Sequence, residues 1–353
     1  MRISVPTIPP AIISSATSTK TISKTAAVER IAAFLAPGNV ATVTGAGVSV
    51  DSGIRAYRGS KGIYLNPNYK PIFYHELVDP SDKGFAFRQR YWLRSYLGYA
   101  PVRNAQPNTT HYALAALQYT KVIEKLITQN VDGLHHKALS DVWDAATMRA
   151  RILELHGSLH KVHCSRGHVY ERDVFQDWLS AANPQWKAYM DDLEATGRRP
   201  RTNPDGDVVL EEGVRYDTFQ VPECPTCVIE NQHNSTMKPE LIFFGESIKP
   251  AVKDRSYLEI EECDRLFLVG TTLATYSAFR LLRHALELKK PVLLLNVGPT
   301  RADPLPGVEK IEISTREVIR DVVRAVLGSR VKEEPVVDKM LQSGIIKPPP
   351  EDV

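Results

Sequence analysis

The chain has 353 residues, a hydrophobic fraction of 43% and a formal net charge of +3, which suits one large domain with a smaller insertion. The small charge does not favour a specific nucleic-acid partner, and no apolar run approaches the roughly 18 to 20 residues that span a membrane. Four cysteines in so long a chain also exclude the disulfide-framed class of small secreted proteins.

The amino-terminal residues differ in composition from the rest of the chain. Residues 1–24 contain three basic residues, many Ser and Thr, and no acidic residue. This composition is compatible with a mitochondrial transit peptide. It is equally compatible with a disordered segment, because three prolines interrupt any amphipathic helix there. From composition alone both alternatives stay open.

Apolar and β-branched runs predict strands that are buried on both faces. They lie at 39–44, 123–128, 240–244, 265–269, 291–296 and 310–313. Helical spacing of apolar residues predicts helices at 28–35, 111–118, 278–288 and 315–327. Strands that alternate with helices predict an α/β fold, with a doubly wound parallel sheet and helices on both of its faces.

Three segments depart from this alternation. Residues 80–104 are predicted to form a helical insertion that is rich in aromatic side chains. Residues 159–238 contain three of the four cysteines and many turn formers, and a structural metal would stabilise such a segment better than core burial. Residues 331–353 are charged and rich in proline, which predicts a disordered, mobile tail.

A glycine-rich turn, Gly45–Ile54, directly follows the first predicted strand. Small residues there let the backbone approach a pyrophosphate, so that its N–H groups face the phosphate oxygens. Glycines after a strand are also common in simple turns, and the spacing is not the GxGxxG of dehydrogenases. The motif alone is therefore compatible with both interpretations.

A polar run follows the strand at 123–128, where Gln129, Asn130 and Asp132 stand close together. Ligands in open α/β sheets bind outside the carboxyl ends of the strands. Helix capping by Asn130 or Asp132 would explain one of these residues, but hardly all three. The run therefore favours a ligand site at this end of the sheet.

The motif Leu153–Ser158 places a histidine directly before a glycine. By itself such a histidine is more often a turn or core residue than a functional one. Near the two preceding motifs, however, His156 is the only plausible base with a pKa close to neutrality.

In this order the three motifs resemble the signature of the sirtuin family of NAD-dependent protein lysine deacylases. The resemblance covers residues 27–327 and continues through motifs at 243–246, 270–273 and 296–301. Three further segments resemble the class II, mitochondrial branch: 88–92, 204–207 and 298–301. The resemblance implies a Rossmann-like NAD-binding domain and a location in the mitochondrial matrix, with the cytoplasm or nucleus as the alternative.

The resemblance also implies where NAD lies. The expected contacts are Gly45, Ala46, Gly47, Ser49, Tyr57, Arg58, Gln129, Asn130, Asp132, Gly270, Thr271, Thr272, Asn296, Val297 and Gly298. Among these, Gln129 and Asn130 would bind the nicotinamide ribose and take part in catalysis, and Asp132 would bind the carboxamide. Tyr57 and Arg58 would belong to the mobile loop that covers the reacting end of the cofactor.

The implied reaction transfers an acyl group from lysine to ADP-ribose. The acyl oxygen attacks the anomeric carbon as nicotinamide leaves, and His156 takes a proton from the ribose hydroxyl. Water then completes the sequence, which yields free lysine and an acylated ADP-ribose. The acylated protein substrate would pair, as an added strand, with the backbone of Phe244, Gly245 and Glu246. Mono-ADP-ribosyl transfer to protein from the same NAD site is the alternative.

The implied catalytic domain spans residues 25–330. Its large domain comprises 25–79, 105–158 and 239–330, its helical insertion 80–104, and its zinc-binding module 159–238. Sirtuin zinc sites have two Cys-x-x-Cys pairs, of which the second is intact here as Cys224 and Cys227. After Cys164 the expected second cysteine is a glycine, Gly167. Either His168 supplies the fourth ligand of a structural zinc, or zinc is weakly bound or absent.

A second departure lies just after the glycine-rich turn. The family usually has Pro-Asp there, whereas this chain has Arg55 and Ala56. Losing an acid and gaining a cation would weaken NAD binding or change how the loop closes. Alternatively, Arg55 turns outward without effect.

The acyl preference is inferred from two residues of the helical insertion. Tyr91 and Arg94 are three residues apart, so they share one face of a helix. They resemble the Tyr-x-x-Arg pair of sirtuins that prefer negatively charged acyl groups, since arginine can hold a carboxylate. The alternative is an ordinary amphipathic stripe in which Arg94 extends to solvent. We expect an acyl group longer than acetyl.

Overall fold

The computed structural model describes residues 5–15, 22–58, 62, 71–196, 208, 215–233 and 236–348. Its strands are β1 Val40–Thr44, β2 Ile123–Thr128, β3 Ile152–Glu154, β4 Gly157–Cys164, β5 Val169–Glu171, β6 Met237–Leu241, β7 Arg265–Val269, β8 Val292–Leu295 and β9 Val308–Ile311. None of the helices formed by these residues is both long and apolar enough to cross a membrane.

Fifteen α-helices are assigned within these ranges, and a 3-10 helix at Ala46–Ser49 follows β1. The helices are α1 Pro10–Ser15, α2 Lys24–Leu35, α3 Tyr74–Leu77, α4 Asp82–Arg103, α5 Thr109–Tyr119, α6 Leu134–Leu139, α7 Ala145–Arg151, α8 Arg172–Ala182, α9 Pro184–Thr196, α10 Pro225–Ile229, α11 Pro250–Glu262, α12 Tyr276–Glu287, α13 Thr315–Leu327, α14 Arg330–Glu333 and α15 Pro335–Gln342.

Six strands form one parallel sheet in the order β3-β2-β1-β7-β8-β9. Strand β1 pairs with β2 on one side and with β7 on the other, so the direction of winding reverses beside β1. A reversal of this kind opens a crevice at the carboxyl ends of the strands. The predicted doubly wound α/β fold is therefore confirmed.

Successive strand residues point to two separate apolar cores. Along β1, Val40 belongs to the core beneath α2, α5 and α13, whereas Ala41 and Val43 belong to the core beneath α11 and α12. Every residue of β1 is buried. Because both faces are covered by helices, the strands are continuous apolar runs without alternation, and this is why they were readable in the sequence.

One strand prediction was wrong. The apolar run at 240–244 was expected to join the parallel sheet, but β6 ends at Leu241 and pairs antiparallel with β4 in a separate three-stranded sheet, β5-β4-β6. An apolar run does not reveal which neighbour a strand will take. The parallel sheet instead gains the three-residue strand β3, which no pattern in the sequence had indicated.

The helical insertion and the small sheet share a third core. Trp92 of α4 lies edge-on to Phe175 of α8, with ring centroids 4.7 Å apart. Arg172 is fully buried between them, and its guanidinium lies 4.4 Å from the centre of the Tyr99 ring. We call β4–β6 with α8 the small module. Residues 204–207, which carried part of the class II resemblance, lie outside the described residues.

The expectation of a disordered, mobile tail over residues 331–353 was wrong as far as residue 348. Helix α15 buries Val337, Met340 and Leu341 against α5 and its surroundings. These three side chains have the spacing of one helix face, which the charged and proline-rich composition obscured. Residues 349–353 lie outside the described residues.

Candidate active site

The glycine-rich turn after β1 packs directly against the turn after β7. Gly47 N donates to Gly270 O at 2.9 Å. A Cβ atom on Gly45 would lie 2.8 Å from Thr271 Cβ, and one on Gly47 would lie 2.7 Å from Gly270 O. Only glycine permits this approach. The first and fifth predicted motifs therefore meet at the crevice.

The polar run after β2 is hydrogen-bonded to the same turn. Ser49 Oγ donates to Asp132 Oδ2 at 2.7 Å, while Asn130 Nδ2 donates to Ser49 Oγ at 3.0 Å and to Gly45 O at 3.1 Å. All three polar side chains are less than one-tenth exposed. Because buried polar groups need partners, this network fixes the two motifs relative to each other.

Gln129 connects this network to the turn after β7. Its Nε2 atom donates to Thr271 Oγ1 at 2.9 Å, and its Oε1 atom accepts from Thr275 Oγ1 at 2.9 Å. Thr275 caps the start of α12 without bonding to that helix's own N–H groups, so its hydroxyl is available to Gln129. The amide is therefore held at both ends.

His156 lies between the two sheets, two residues after the end of β3 and directly before β4. Its Nδ1 atom is 3.2 Å from Gln129 O, and its Nε2 atom is 2.7 Å from Ser277 Oγ. Burial lowers the pKa of His156 to about 4, the bond to Gln129 O opposes this shift, and the Arg58 cation adds to it. The ring is thus neutral at pH 7 and has the lone pair that a general base requires.

The predicted adenosine-side residues follow the next strand. Gly270 N donates to Leu295 O at 3.0 Å, which places the turn containing Asn296, Val297 and Gly298 beside the turn after β7. Gly298 N donates to Glu312 Oε1 at 2.7 Å. Val297 is 64% exposed, so a large apolar side chain faces solvent at this edge of the crevice.

The predicted cofactor loop is represented by Tyr57 and Arg58, because residues 59–61 and 63–70 lie outside the described residues. Arg58 Nη2 donates to Pro6 O at 2.6 Å, so the amino-terminal segment lies against the loop. Residues 5–15 are placed in the structure and include α1, in contrast to the alternative of a disordered segment over residues 1–24.

The predicted substrate-binding segment after β6 already has one strand-like partner. Tyr74 N donates to Phe244 O at 2.9 Å, and Phe73 forms a parallel bridge with Phe244. Gly245 has a φ of 83°, which turns the chain sharply here. Glu246 Oε2 lies 3.2 Å from Nζ of the buried Lys238, and this ion pair holds the end of the segment.

The two predicted acyl-pocket residues lie on α4 next to this segment. Tyr91 is buried and packs edge-on against Phe243, with ring centroids 5.7 Å apart. Arg94 Nε donates to Val208 O at 2.7 Å. Tyr91 is therefore adjacent to the substrate-binding segment, whereas part of the Arg94 guanidinium is bonded to the chain at Val208.

The four predicted metal ligands converge at one end of the small module. The ligand atoms of Cys164, His168, Cys224 and Cys227 all lie within 4.8 Å of one another. His168 Nδ1 is 3.4 to 3.5 Å from each of the three sulfurs, and two of the sulfurs are 3.7 Å apart. Tetrahedral zinc at its usual bond lengths separates sulfur from nitrogen by about 3.5 Å and sulfur from sulfur by about 3.8 Å. The donor set fits zinc.

Gly167 makes this arrangement possible. Its φ of 90° lies in the left-handed region, and a Cβ atom there would meet nothing within 4 Å. The turn it forms, with Gly167 N donating to Cys164 O, aims the next residue, His168, at the sulfurs. Any other residue at position 167 would be strained at this φ, whatever space surrounds it.

Several residues of this site were not predicted from the sequence. His111 and His135 are buried behind the polar network, with ring centroids 4.9 Å apart, and His111 Nε2 lies 3.4 Å from Ser49 Oγ. Asn108 and His111 form a capping box, but a pattern of this kind signals the start of a helix and not a site residue. Ser277 had no local signal, because it reaches His156 across 121 positions of sequence.

A Sir2-family model matches residues 45–277. A Batrachochytrium dendrobatidis protein named NAD-dependent protein deacylase SIR4 is 39% identical over 294 residues, which cover 82% of this chain and 90% of that protein. A Bos taurus protein named NAD-dependent protein lipoamidase sirtuin-4, mitochondrial, is 38% identical over 269 residues, 76% of each chain. A solved Sir2 homolog–NAD complex has a TM-score of 0.57 and 26% identity, covering 84% of this chain and 93% of that one.

Proposed function

We propose that this chain, which belongs to the Sir2 family, is an NAD-dependent protein lysine deacylase in which His156 is the general base. The observation that carries the proposal is the position of His156. Its ring is bonded through Nδ1 to Gln129 O, inside the crevice where the motifs after β1, β2 and β7 meet. Relatives named deacylase, deacetylase and lipoamidase support deacylation over ADP-ribosyl transfer.

NAD would lie across the carboxyl ends of the parallel strands. The turn at Gly45–Ser49, together with Thr271 and Thr272, would lie along the pyrophosphate, and Asn296 would hold the adenosine ribose. Asn130 and Asp132 are already preorganised by their bonds to Ser49 and its turn, so binding the nicotinamide end costs little ordering of side chains.

The chain's own groups would then carry the proton transfers. When nicotinamide leaves, the acyl oxygen of the substrate lysine forms a bond to the anomeric carbon. His156 Nε2 takes the proton of the ribose hydroxyl, and that oxygen attacks the resulting imidate carbon. Water must be kept out until this step is complete, since it would consume the activated sugar.

We further propose that Cys164, His168, Cys224 and Cys227 hold a structural zinc ion. The support is the spacing of their four ligand atoms, which matches a tetrahedral three-sulfur, one-nitrogen site. Bound zinc would connect β4, the turn before β5 and α10. Its role would be to stabilise the small module rather than to take part in the reaction.

The acyl group would be longer than acetyl, with Tyr91 and Arg94 lining its site. Tyr91 lies beneath the substrate-binding segment through its contact with Phe243, and the bovine relative is named a lipoamidase. We also propose a mitochondrial matrix location, since that relative is named mitochondrial and the first residues have the composition of a transit peptide.

Mass spectrometry of acyl-lysine peptides incubated with NAD tests the function. The panel holds acetyl, longer neutral and carboxylate-ended chains. We expect acyl loss that depends on NAD, with turnover reduced by about 10² to 10⁴ in His156→Ala. His233→Ala is the matched control, because His233 is an exposed histidine of the small module. Retention of label from the adenosine half of NAD on protein, without acyl loss, would favour ADP-ribosyl transfer instead.

Metal content tests the zinc proposal. We expect about one zinc per chain in the wild type and in His163→Ala, since His163 bonds to Cys164 O through Nδ1 without joining the cluster. His168→Ala should lose most of its zinc. Adding Gly167→Cys to that variant should restore little zinc, because the φ of 90° at this position strains any residue other than glycine. A full zinc content in His168→Ala would contradict the assignment of His168 as the fourth ligand.

A further inference from the structure

The start of α12 is attached to the catalytic motifs at two points. Thr275 Oγ1 donates to Gln129 Oε1, and two residues later Ser277 Oγ lies 2.7 Å from His156 Nε2. The two contacts reach different motifs, so Ser277 is not needed to hold α12 against Gln129. Within the described part of the chain, the hydrogen bonds of the His156 ring are those to Gln129 O and Ser277 Oγ.

These two partners define the tautomer of the ring. A backbone carbonyl only accepts, so the bond to Gln129 O requires the hydrogen on Nδ1. In the neutral ring Nε2 then has the lone pair, and the Ser277 hydroxyl donates to it. The nitrogen that must act as base is therefore the one that Ser277 contacts.

A hydroxyl can also serve the protonated ring, because it rotates and accepts. When His156 takes the ribose proton, Nε2 becomes a donor, and the ribose oxygen becomes a weaker acceptor as one of its lone pairs forms the new carbon–oxygen bond. Ser277 Oγ then remains as the acceptor for Nε2–H. The Arg58 cation lowers the pKa of His156, so it disfavours a positive charge on the ring. An acceptor at Nε2 would therefore stabilise the protonated ring.

We propose that Ser277 is a positioning residue for the general base. Its hydroxyl donates to Nε2 of the neutral His156 ring, gives way to the ribose hydroxyl, and accepts from Nε2 once the proton has been transferred. The proposal rests on the function assigned to His156 above. It predicts that a hydroxyl at position 277 supports the proton transfer more than it supports the binding of NAD.

Steady-state kinetics of Ser277→Ala and Ser277→Thr test this proposal. Losing a hydrogen bond to a charged group should lower kcat of Ser277→Ala by about tenfold to a hundredfold. The KM for NAD should change less than about twofold, since the cofactor contacts stay intact. Ser277→Thr keeps the hydroxyl and should recover most of the lost kcat.

The pH profile separates positioning from a structural role. Because Ser277 stabilises the charged ring more than the neutral one, Ser277→Ala should move the acid limb of kcat/KM to lower pH. Ser180→Ala is the matched control: it removes a partly buried hydroxyl that bonds to Tyr96 OH in the small module, and it should behave as wild type.

Two results would overturn the proposal. One is a Ser277→Ala enzyme with the kcat and pH profile of the wild type. The other is a lower kcat with an unchanged profile that Ser277→Thr does not recover, which would indicate only a disturbed helix. If His156→Ala keeps full turnover, the function proposed for His156 is wrong. That outcome is distinct from a failure of the proposal for Ser277, which the Ser277 variants test.

Discussion

In the six-stranded sheet every residue of β1 and of β8 is buried, whereas in the three-stranded sheet Val169 of β5 is 54% exposed. The parallel sheet has a helix-covered apolar core on each face. The small module has one core, which it shares with α4, and the cluster of three cysteines and His168. Its stability would therefore depend on the proposed zinc and on a neighbour, while the parallel sheet is stabilised by its own apolar burial.

The proposed base lies where these two regions join. Leu155 N donates to Thr128 O in the parallel sheet, whereas Ile242 N donates to His156 O beside the small sheet. Each region thus fixes one side of the backbone that carries the ring. Loss of structure in either region should therefore lower the activity, but with different effects on the overall stability.

Zinc removal should have the largest effect. Structural zinc contributes about 10 to 16 kcal/mol of binding free energy in small zinc domains, so Cys227→Ser should unfold the small module locally. We expect hydrogen exchange to lose protection over residues 157–196 and 236–241 and to keep it over 109–128, with activity lost. Cys263→Ala is the control, because Cys263 is a buried free cysteine in the core under α12. Equal loss of protection in both segments would contradict two separately stabilised regions.

A core truncation in the parallel sheet should act on the whole chain. Phe267 is fully buried in the core beneath α2 and α5, so Phe267→Ala should lower the free energy of unfolding by about 3 to 5 kcal/mol. Zinc content measured on the folded protein should not change. Phe85→Ala, at a ring that is 50% exposed, should stay within about 0.5 kcal/mol of the wild type. Denaturant unfolding curves give both values.

Acid should destabilise the large domain through its buried histidines. Burial lowers the pKa of His111 from 6.5 to about 4, although Asp132 opposes the shift. Between these values the unfolded chain binds the proton and the folded one does not. His111 therefore contributes stability that is present above pH 6.5 and lost as the pH falls, by roughly 3 kcal/mol in total.

His111→Gln isolates this contribution, because glutamine keeps polar atoms near Ser49. The variant should show a stability that falls less steeply from pH 6.5 to 4 than the wild type, by about 1.4 kcal/mol per pH unit. Burial raises the pKa of Glu154 to about 7, so protonation of Glu154 stabilises the folded state over the same fall in pH. The pH dependence of stability in the wild type is therefore a sum of opposing contributions from these groups. An identical slope in both proteins would refute the assignment to His111.

The sequence predicted the parallel sheet well because its strands are buried on both faces and are separated by amphipathic helices. It also predicted which polar residues meet, since the carboxyl ends of parallel strands lie at one edge. Thr128, at the end of β2, and Glu154, at the end of β3, pair in the observed register two residues before His156. Because β3 itself was not predicted, the position of His156 was expected from its motif and not from the strand pattern.

The sequence failed where pairing depends on distant partners. Antiparallel pairing of β6 with β4, the contact of Ser277 with His156, and the packing of α15 all join segments that no local pattern relates. Composition misled most at the carboxyl-terminal end, where charged residues and prolines hid three apolar side chains on one helix face.

That end of the chain supports the last and smallest prediction. After α15, Ile345 N donates to Pro107 O at 3.2 Å and Lys347 N donates to Asp51 O at 2.7 Å. Asp51 lies in the glycine-rich turn, two residues after Ser49, so the segment braces the proposed NAD cradle from outside. Removing residues 344–353 leaves α15 and its C-cap Ser343 in place and deletes these two backbone hydrogen bonds, each contributing about 1 kcal/mol.

We expect this truncation to raise the KM for NAD by about twofold to fivefold and to change kcat little, because the turn is loosened while His156 is untouched. Lys347→Ala keeps the backbone bond to Asp51 and should match the full-length chain. An unchanged KM in the truncated protein would mean that the turn is held by Gly270 and Asn130 alone. The small size of the effect would itself follow from the comparison, since a region with its own apolar core depends little on any single brace.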